Sequence, residues 1–382
     1  MQSFRNAIFS VILIVLITTV TLVTIEIACQ ILWRIQNNDW YFNMNREVHL
    51  YQVLFEPHPF LVVVPKSGAK VTKKEGNGNY LTISHNSLGF RGPEVSTKKP
   101  PNIIRIVTLG GSTTYCVSVS DDQTWPFLLE KQLGPAYQVI NLGVPGYSTV
   151  ENIIQTALIL PELHPDVAIF YLGWNDVRNV HIANLKSDYS GFHGKTQYSN
   201  LNLNRLKVGS KSVLLYHLNN LLRHIFTYEE PITIKPTKDE YTDLPDQRAL
   251  DLYGRNVQTL ITLCKEFHVI PVLVPQVLNY SILMNNKQAD WAPYLKNKNY
   301  KKEIQFYNEK MQEIATKNNT LFVSAVLKDA FVPKDFMDQG HFDAKGNEKF
   351  ATILASFIKD HYSNLLHQSY SLNDATLSIH QR

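Results

Sequence analysis

Asp338-Gln339-Gly340-His341 sets a carboxylate three residues before an imidazole. At that spacing the carboxylate can turn back, fix the histidine tautomer and stabilise the imidazolium. An imidazole titrates close to neutral pH and is a ready general base. Far upstream lies a hydroxyl it could serve, Ser112 in Gly110-Gly111-Ser112-Thr113-Thr114, a weak nucleophile until a base takes its proton. Acyl chemistry passes through a tetrahedral oxyanion, and each preorganised donor to it is worth on the order of 3 kcal/mol. Three groups could converge there: the backbone N–H of Ser112, the backbone N–H of Gly146 and the side-chain amide of Asn175. Glycine at 146 lets the main chain approach with no side chain in the way. Each fragment is common alone. Together they hold every part that serine acyl chemistry needs.

These residues sit where an alternating chain would bring them together. Ile103 to Leu109 is a β-branched run ending in Gly110-Gly111, which predicts a buried parallel strand. A helix is expected over 124–133 with Gly134 as its stop, then a strand over 137–142, a helix over 149–163 and a strand over 166–172. After a long polar insertion at 177–245 the rhythm resumes: helix 246–267, strand 269–274, helix 299–317, strand 321–323, and a last helix from Asn347 to about Leu365. Alternation of this kind implies right-handed βαβ units and a mostly parallel sheet between helix layers. Ligands of open α/β sheets lie beyond the carboxyl ends of the strands. Ser112, Gly146 and Asn175 each follow one such end.

The amino terminus reads differently. Ala7 to Ile25 is a run of 19 residues with only Ser and Thr as polar members; Glu26 interrupts it, and Ile27 to Trp33 resumes it. About 20 residues of helix cross the hydrocarbon core, so 7–33 is expected to be a transmembrane anchor behind a short head, 1–6. No A-x-A site closes the run as in a cleaved signal peptide. Cys29 lies in a poor lipoprotein processing context. Trp33 and Trp40-Tyr41-Phe42 suit the membrane interface. The short head favours a single-pass topology with the large domain outside the cytoplasm. Residues 34–99 read as an irregular juxtamembrane stretch with a short strand at Leu81-Thr82-Ile83, 100–365 as the catalytic domain, and 366–382 as a polar tail. Leu214, Leu215, Leu218, Leu221, Leu222 and Ile225 recur at helical spacing within 211–226. They read as packing onto the core, with a lid over a lipid-like substrate as the alternative.

Composition narrows the classes further. Of 382 residues, 37 are basic and 33 acidic, a net charge of +4 with no basic run, which leaves nucleic acid a poor partner. Three separated cysteines, Cys29, Cys116 and Cys264, make neither a disulfide framework nor a cysteine-rich zinc site.

The ordered set resembles the SGNH hydrolases, a branch of the GDSL esterase/lipase superfamily. Ser112 matches the first block, Gly146 the second, Asn175 in Gly-x-Asn-Asp the third, and Asp338 with His341 the last, Asp-x-x-His. The resemblance spans roughly residues 100–365. It implies a flavodoxin-like three-layer α/β/α sandwich and a serine esterase with Ser112, His341 and Asp338 as its triad. Ser112, Gly146 and Asn175 would form the oxyanion hole, and no cofactor or metal is expected. The implied substrates are carboxylic esters: lipid esters, small acyl esters or O-acyl groups on envelope glycans. An O-acyltransferase with the same residues, and a non-catalytic anchored assembly protein, are the alternatives. The oligomeric state stays open.

Rival assignments weigh less. Gly143 is a second glycine in block two and reads as a turn residue. Where the family has Gly-Asp-Ser-Leu, this chain has Gly110-Gly111-Ser112-Thr113, so a loop contact from that aspartate would be missing. The nucleophile elbow Gly-x-Ser-x-Gly of α/β-hydrolases is broken by Thr114. A metal cluster of Asp338, His341 and Asp343 lacks a second histidine at helical spacing, and Asp343 reads as a cap. Asp176 reads as a structural turn residue and Cys116 as a small buried one.

Overall fold

The structure is a computed structural model, and it describes residues 2–37, 40–41, 50–74, 80–182, 185–190, 212–215, 217–218, 247–285, 299–328 and 331–361. The chain forms two compact units, Met1–Leu50 with Asn202–Thr233, and Tyr51–Leu201 with Ile234–Arg382.

In the first unit, α1 (Gln2–Asn37) is one unbroken helix of 36 residues, roughly 50 Å long and long and apolar enough to cross a membrane. Glu26, the acid that interrupts its apolar run, accepts hydrogen bonds from the Ser212 hydroxyl (2.6 Å) and from the N–H groups of Val213 (2.9 Å) and Leu214 (3.0 Å). Between them these donors reach both oxygens of the Glu26 carboxylate. Of the leucine stripe at 211–226, only residues 212–215, 217 and 218 are described; Leu221, Leu222 and Ile225 lie outside the described residues.

The second unit starts at Tyr51, within α2 (Leu50–Leu54), and continues into two antiparallel hairpins. Strands β1 (Phe55–His58) and β2 (Val62–Pro65) make the first; β3 (Lys70–Lys74) and β4 (Tyr80–Ser84) make the second. The expectation of an irregular stretch over 34–99 is corrected by these hairpins, of which β4 contains the short strand expected at Leu81-Thr82-Ile83. The strands of the first hairpin are four residues long and punctuated by Pro57, Pro59 and Pro65, which hides their alternation.

The central sheet has five parallel strands in the order β6-β5-β7-β8-β9. They are β5 (Ile104–Gly110), β6 (Tyr137–Asn141), β7 (Val167–Tyr171), β8 (Ile270–Val274) and β9 (Leu321–Phe322). This is the 2-1-3-4-5 order of flavodoxin-like folds. Side chains alternate across β7. Ala168 and Phe170 face a core with α5 (Thr149–Leu163), α7 (Gln247–Glu266) and α9 (Tyr300–Lys317). Val167, Ile169 and Tyr171 face a second core with α4 (Trp125–Leu133) and α10 (Ala344–Asp360). A sheet buried on both faces accounts for the unbroken apolar runs of its strands. The three-layer α/β/α sandwich and the parallel sheet are as the sequence implied.

Local chemistry sets the helix ends. Ser148 caps α5 in a capping box with Glu151, and Thr124 caps α4. The last helix starts at Ala344 rather than Asn347, because the Asp343 side chain accepts the Gly346 N–H at 2.7 Å. Gly346 lies inside this helix, where a Cβ would run into the Asp335 carbonyl.

Candidate active site

Strand β5 ends at Gly110, and α3 (Ser112–Tyr115) opens immediately with Ser112 at its first position. Strand β6 leads to the loop 142–148 that carries Gly146 at φ +87°. After β7, Gly173 at φ +120° turns the chain into α6 (Trp174–Val180). Asn175 is therefore in a helix start, not in the bare turn that Gly-x-Asn-Asp suggests. The strand order places these three ends next to one another, at the point where connections leave β5 toward opposite edges of the sheet.

The aspartate and histidine arrive on a loop held at both stems. Phe336 and Phe342 bridge antiparallel, Met337 N–H donates to the His341 carbonyl (2.8 Å), and Asp343 N–H donates to the Asp335 carbonyl (2.9 Å). Lys349 pairs with Asp335 at 2.6 Å. Asn279, just beyond β8, donates its backbone N–H to Gln339 O (2.9 Å) and its side-chain amide to Pro333 O (3.1 Å).

On this frame the separated residues meet. Ser112 Oγ lies 2.7 Å from His341 Nε2, and His341 Nδ1 lies 2.7 Å from Asp338 Oδ2. The other carboxylate oxygen of Asp338 accepts the N–H groups of Gly340 and His341, both at 2.8 Å. Partial burial opposes ionisation of Asp338. The hydrogen bond and charge of His341 and these two N–H donors outweigh it and hold the carboxyl below the usual aspartate range. With Asp338 ionised, the Nδ1 proton stays on the Asp338 side, which leaves Nε2 as the ring nitrogen that faces Ser112 Oγ.

The three N–H donors expected of an oxyanion hole differ in their partners. The first N–H of a helix has no partner within it, which leaves that of Ser112 available. Gly146 N–H donates to no backbone acceptor among the described residues. The Asn175 amide gives one N–H to Tyr147 O at 2.8 Å, which orients Nδ2 and keeps its second N–H for a ligand. Asn175 is 9% exposed.

The remaining residues singled out from the sequence have structural contacts. Gly143 is packed so tightly on α3 that a Cβ would overlap Tyr115 N, and its N–H donates to Asn141 Oδ1 (2.9 Å). Asp176 accepts from the Thr149 hydroxyl (2.6 Å) and the Thr149 N–H (3.1 Å), tying α6 to the start of α5. Asp343 spends its carboxylate on the α10 cap. Cys116 is buried, and burial pushes its thiol up to about 12, which rules out a thiolate nucleophile at neutral pH.

Sequence patterns did not disclose what holds α3. The buried Arg91 guanidinium donates to the carbonyls of Tyr115, Cys116 and Val119, each at 2.6 Å, and pairs with Asp121 at 3.1 Å. His85 Nδ1 donates to Lys66 O (3.1 Å), so Nε2 accepts from the Tyr115 hydroxyl (2.7 Å). Both residues flank the turn at 86–90, whose glycine was the readable signal; their side-chain partners were not.

The sequence profile of the GDSL-like Lipase/Acylhydrolase family matches residues 108–349, more than half of the chain. The chain belongs to that family. The matched stretch runs from the end of β5 into α10 and so contains Ser112, Gly146, Asn175, Asp338 and His341. No curated protein sequence matches the chain. Among solved structures, it is similar to TesA at 12% identity, covering 67% of this chain and 98% of that one, with a TM-score of 0.40. It is also similar to a putative acylhydrolase from Bacteroides fragilis (14% identity, 69% and 90% covered, TM-score 0.41). A third is a catalytic mutant of Axe2, an acetylxylan esterase from Geobacillus stearothermophilus (14%, 67% and 92%, TM-score 0.38).

Proposed function

We propose that this chain is a membrane-anchored serine esterase that hydrolyses O-acyl esters through Ser112, His341 and Asp338. The observation that carries this reading is the unbroken relay from Ser112 Oγ through His341 to Asp338, with both hydrogen bonds at 2.7 Å.

In the first half-reaction Ser112 Oγ attacks the acyl carbonyl carbon while His341 Nε2 takes the hydroxyl proton. The oxyanion accepts from the N–H groups of Ser112 and Gly146 and from Asn175 Nδ2. The bond from acyl carbon to alcohol oxygen then breaks, and His341 gives its proton to the departing alkoxide. Water enters, loses a proton to His341 and attacks the acyl-enzyme. Collapse frees the acid and returns the proton to Ser112. Asp338 stays ionised throughout and orients the imidazole.

The long apolar α1 supports a single-pass anchor, and the head of six residues before the apolar run favours a catalytic domain outside the cytoplasm, facing lipid esters or O-acylated envelope glycans. The test is hydrolysis of p-nitrophenyl acetate and butyrate by the full chain in detergent, beside Ser112→Ala and His341→Ala. Both variants should fall to the rate without enzyme, and a fluorophosphonate should label the wild type but not Ser112→Ala. Equal rates in all three proteins would overturn the reading.

A further inference from the structure

Ser112 and His341 meet at 2.7 Å although 229 positions separate them in the chain. Helix α3, which opens with Ser112, follows β5, and the loop that carries His341 precedes α10. Apolar packing brings the two parts together: the Trp125 ring at the start of α4 lies edge-on to Phe350 of α10, with ring centres 5.2 Å apart. Such burial is not directional. A misplacement of about 1 Å between reacting groups costs about 10²-fold in rate, so the pair needs a directional tie as well.

Asn347, near the start of α10, supplies one. It is 1% exposed and uses both ends of its side-chain amide. Its Oδ1 accepts the backbone N–H of Trp125 at 3.2 Å, a helix-opening N–H with no partner inside α4. The Cys116 thiol lies 3.2 Å from the same oxygen, nearer than to the Thr113 and Thr114 carbonyls. On the other end, Nδ2 donates to Asp343 O at 2.9 Å and to Phe342 O at 3.3 Å. With two donors at its oxygen and two acceptors at its nitrogen, the amide is saturated, and turning it over would break all four contacts.

Both ends of this bridge reach the neighbours of reacting residues. Phe342 follows His341. On the other side the Trp125 indole N–H donates to the carbonyl of Thr113, the residue after Ser112, at 3.1 Å. Among the described residues, two hydrogen bonds join 112–125 to 336–349 besides that of Ser112 with His341, and Asn347 Oδ1 accepts both.

We infer that Asn347 is a positioning residue, which fixes the approach of His341 to Ser112 by holding the segment that follows each of them. The inference rests on the esterase reading of Ser112, His341 and Asp338.

The test compares the full chain in detergent with Asn347→Ala, Asn347→Ser and Ser112→Ala. The serine variant keeps a hydroxyl for the Asp343 carbonyl, four residues earlier, but is too short to reach Cys116 and Trp125. Active sites are titrated to completion with a fluorophosphonate, and p-nitrophenyl acetate hydrolysis is expressed per titrated site. Both Asn347 variants should show kcat per site lower by about 10²-fold with KM unchanged, and slower labelling by the fluorophosphonate. Should Asn347→Ala fail to fold in a melting curve, Asn347→Ser decides. A residue that only holds the fold would lower the melting temperature and the titratable fraction while kcat per site stayed at the wild-type value, and that result would overturn the inference alone. A wild type no faster than Ser112→Ala would overturn the esterase reading, and this inference with it.

Discussion

The side-chain amide of Asn175 rests directly on Gly111. A Cβ on residue 111 would overlap Asn175 Nδ2 and stand 3.2 Å from Tyr147 O, the acceptor that orients the amide. The glycine that stands where the family has aspartate is thus the floor beneath the amide proposed as an oxyanion donor. Gly111→Ala should lower kcat for p-nitrophenyl acetate about 10²-fold, the scale of one misplaced donor, with the melting temperature nearly kept. The same change in an Asn175→Ala background should cost little more, and a double-mutant cycle measures this. Full additivity would show that Gly111 does not act through Asn175.

Asp338 offers a separate handle. Its carboxyl is held below the ordinary range, so the stabilisation it supplies is present above the unfolded value near 3.9 and is lost as pH falls through the lower folded value. The carboxylate therefore stays ionised across the neutral range. Asp338→Asn should reduce kcat about 10³–10⁴-fold while leaving the fluorophosphonate site exposed. Steady-state rates with the purified variant check this.

Arg91 predicts a stability effect far from the reacting atoms. Removing its guanidinium leaves the buried carbonyls of Tyr115, Cys116 and Val119 without their donor. Arg91→Ala should cost about 3 kcal/mol or more in urea unfolding. Arg91→Lys should recover little, since a single ammonium cannot reproduce the guanidinium fork. Activity should fall with it, because these carbonyls close the turn that follows Ser112.

His85 predicts a pH dependence. Burial drives its pKa down to about 4, against the unfolded value of 6.5. Between these values the unfolded chain binds a proton that the folded one refuses. The contribution of the neutral ring is therefore complete above pH 6.5 and falls by about 1.4 kcal/mol for each pH unit down to about 4. His85→Gln should remove that part of the slope. The check is the difference between wild-type and variant unfolding free energies at pH 7 and pH 5; parallel curves would refute it.

The repeating strands and helices were legible because each is local: apolar runs for strands buried on both faces, and caps such as Thr124 and Ser148 for helix starts. The four sequence blocks were legible as chemistry because their residue types and order are unusual in combination. Their 2.7 Å geometry was not, since it depends on loops tied by Asn279, Asp335 and Lys349. The first hairpin, at 55–65, was hidden by short, proline-broken strands, whereas the strand of the second at 80–84 was legible over 81–83. Gly346-Asn347 suggested a helix start because glycine signals a break, whereas here it makes room for the Asp335 carbonyl. The Arg91 and His85 clamps left no local signature, because a side chain that serves distant carbonyls imposes no periodicity of its own.

Glu26 changes how the protein is best handled. Cutting away residues 1–36 to obtain a soluble enzyme would also remove the acceptor for the Ser212 hydroxyl and for the N–H groups of Val213 and Leu214. Helix α1 is therefore also a fastening point for a segment nearly two hundred residues further along the chain. A preparation without α1 would keep Ser112, Asp338 and His341 and lose the acceptor that holds residues 212–214, so protease sensitivity at those residues would describe the truncation rather than the native molecule.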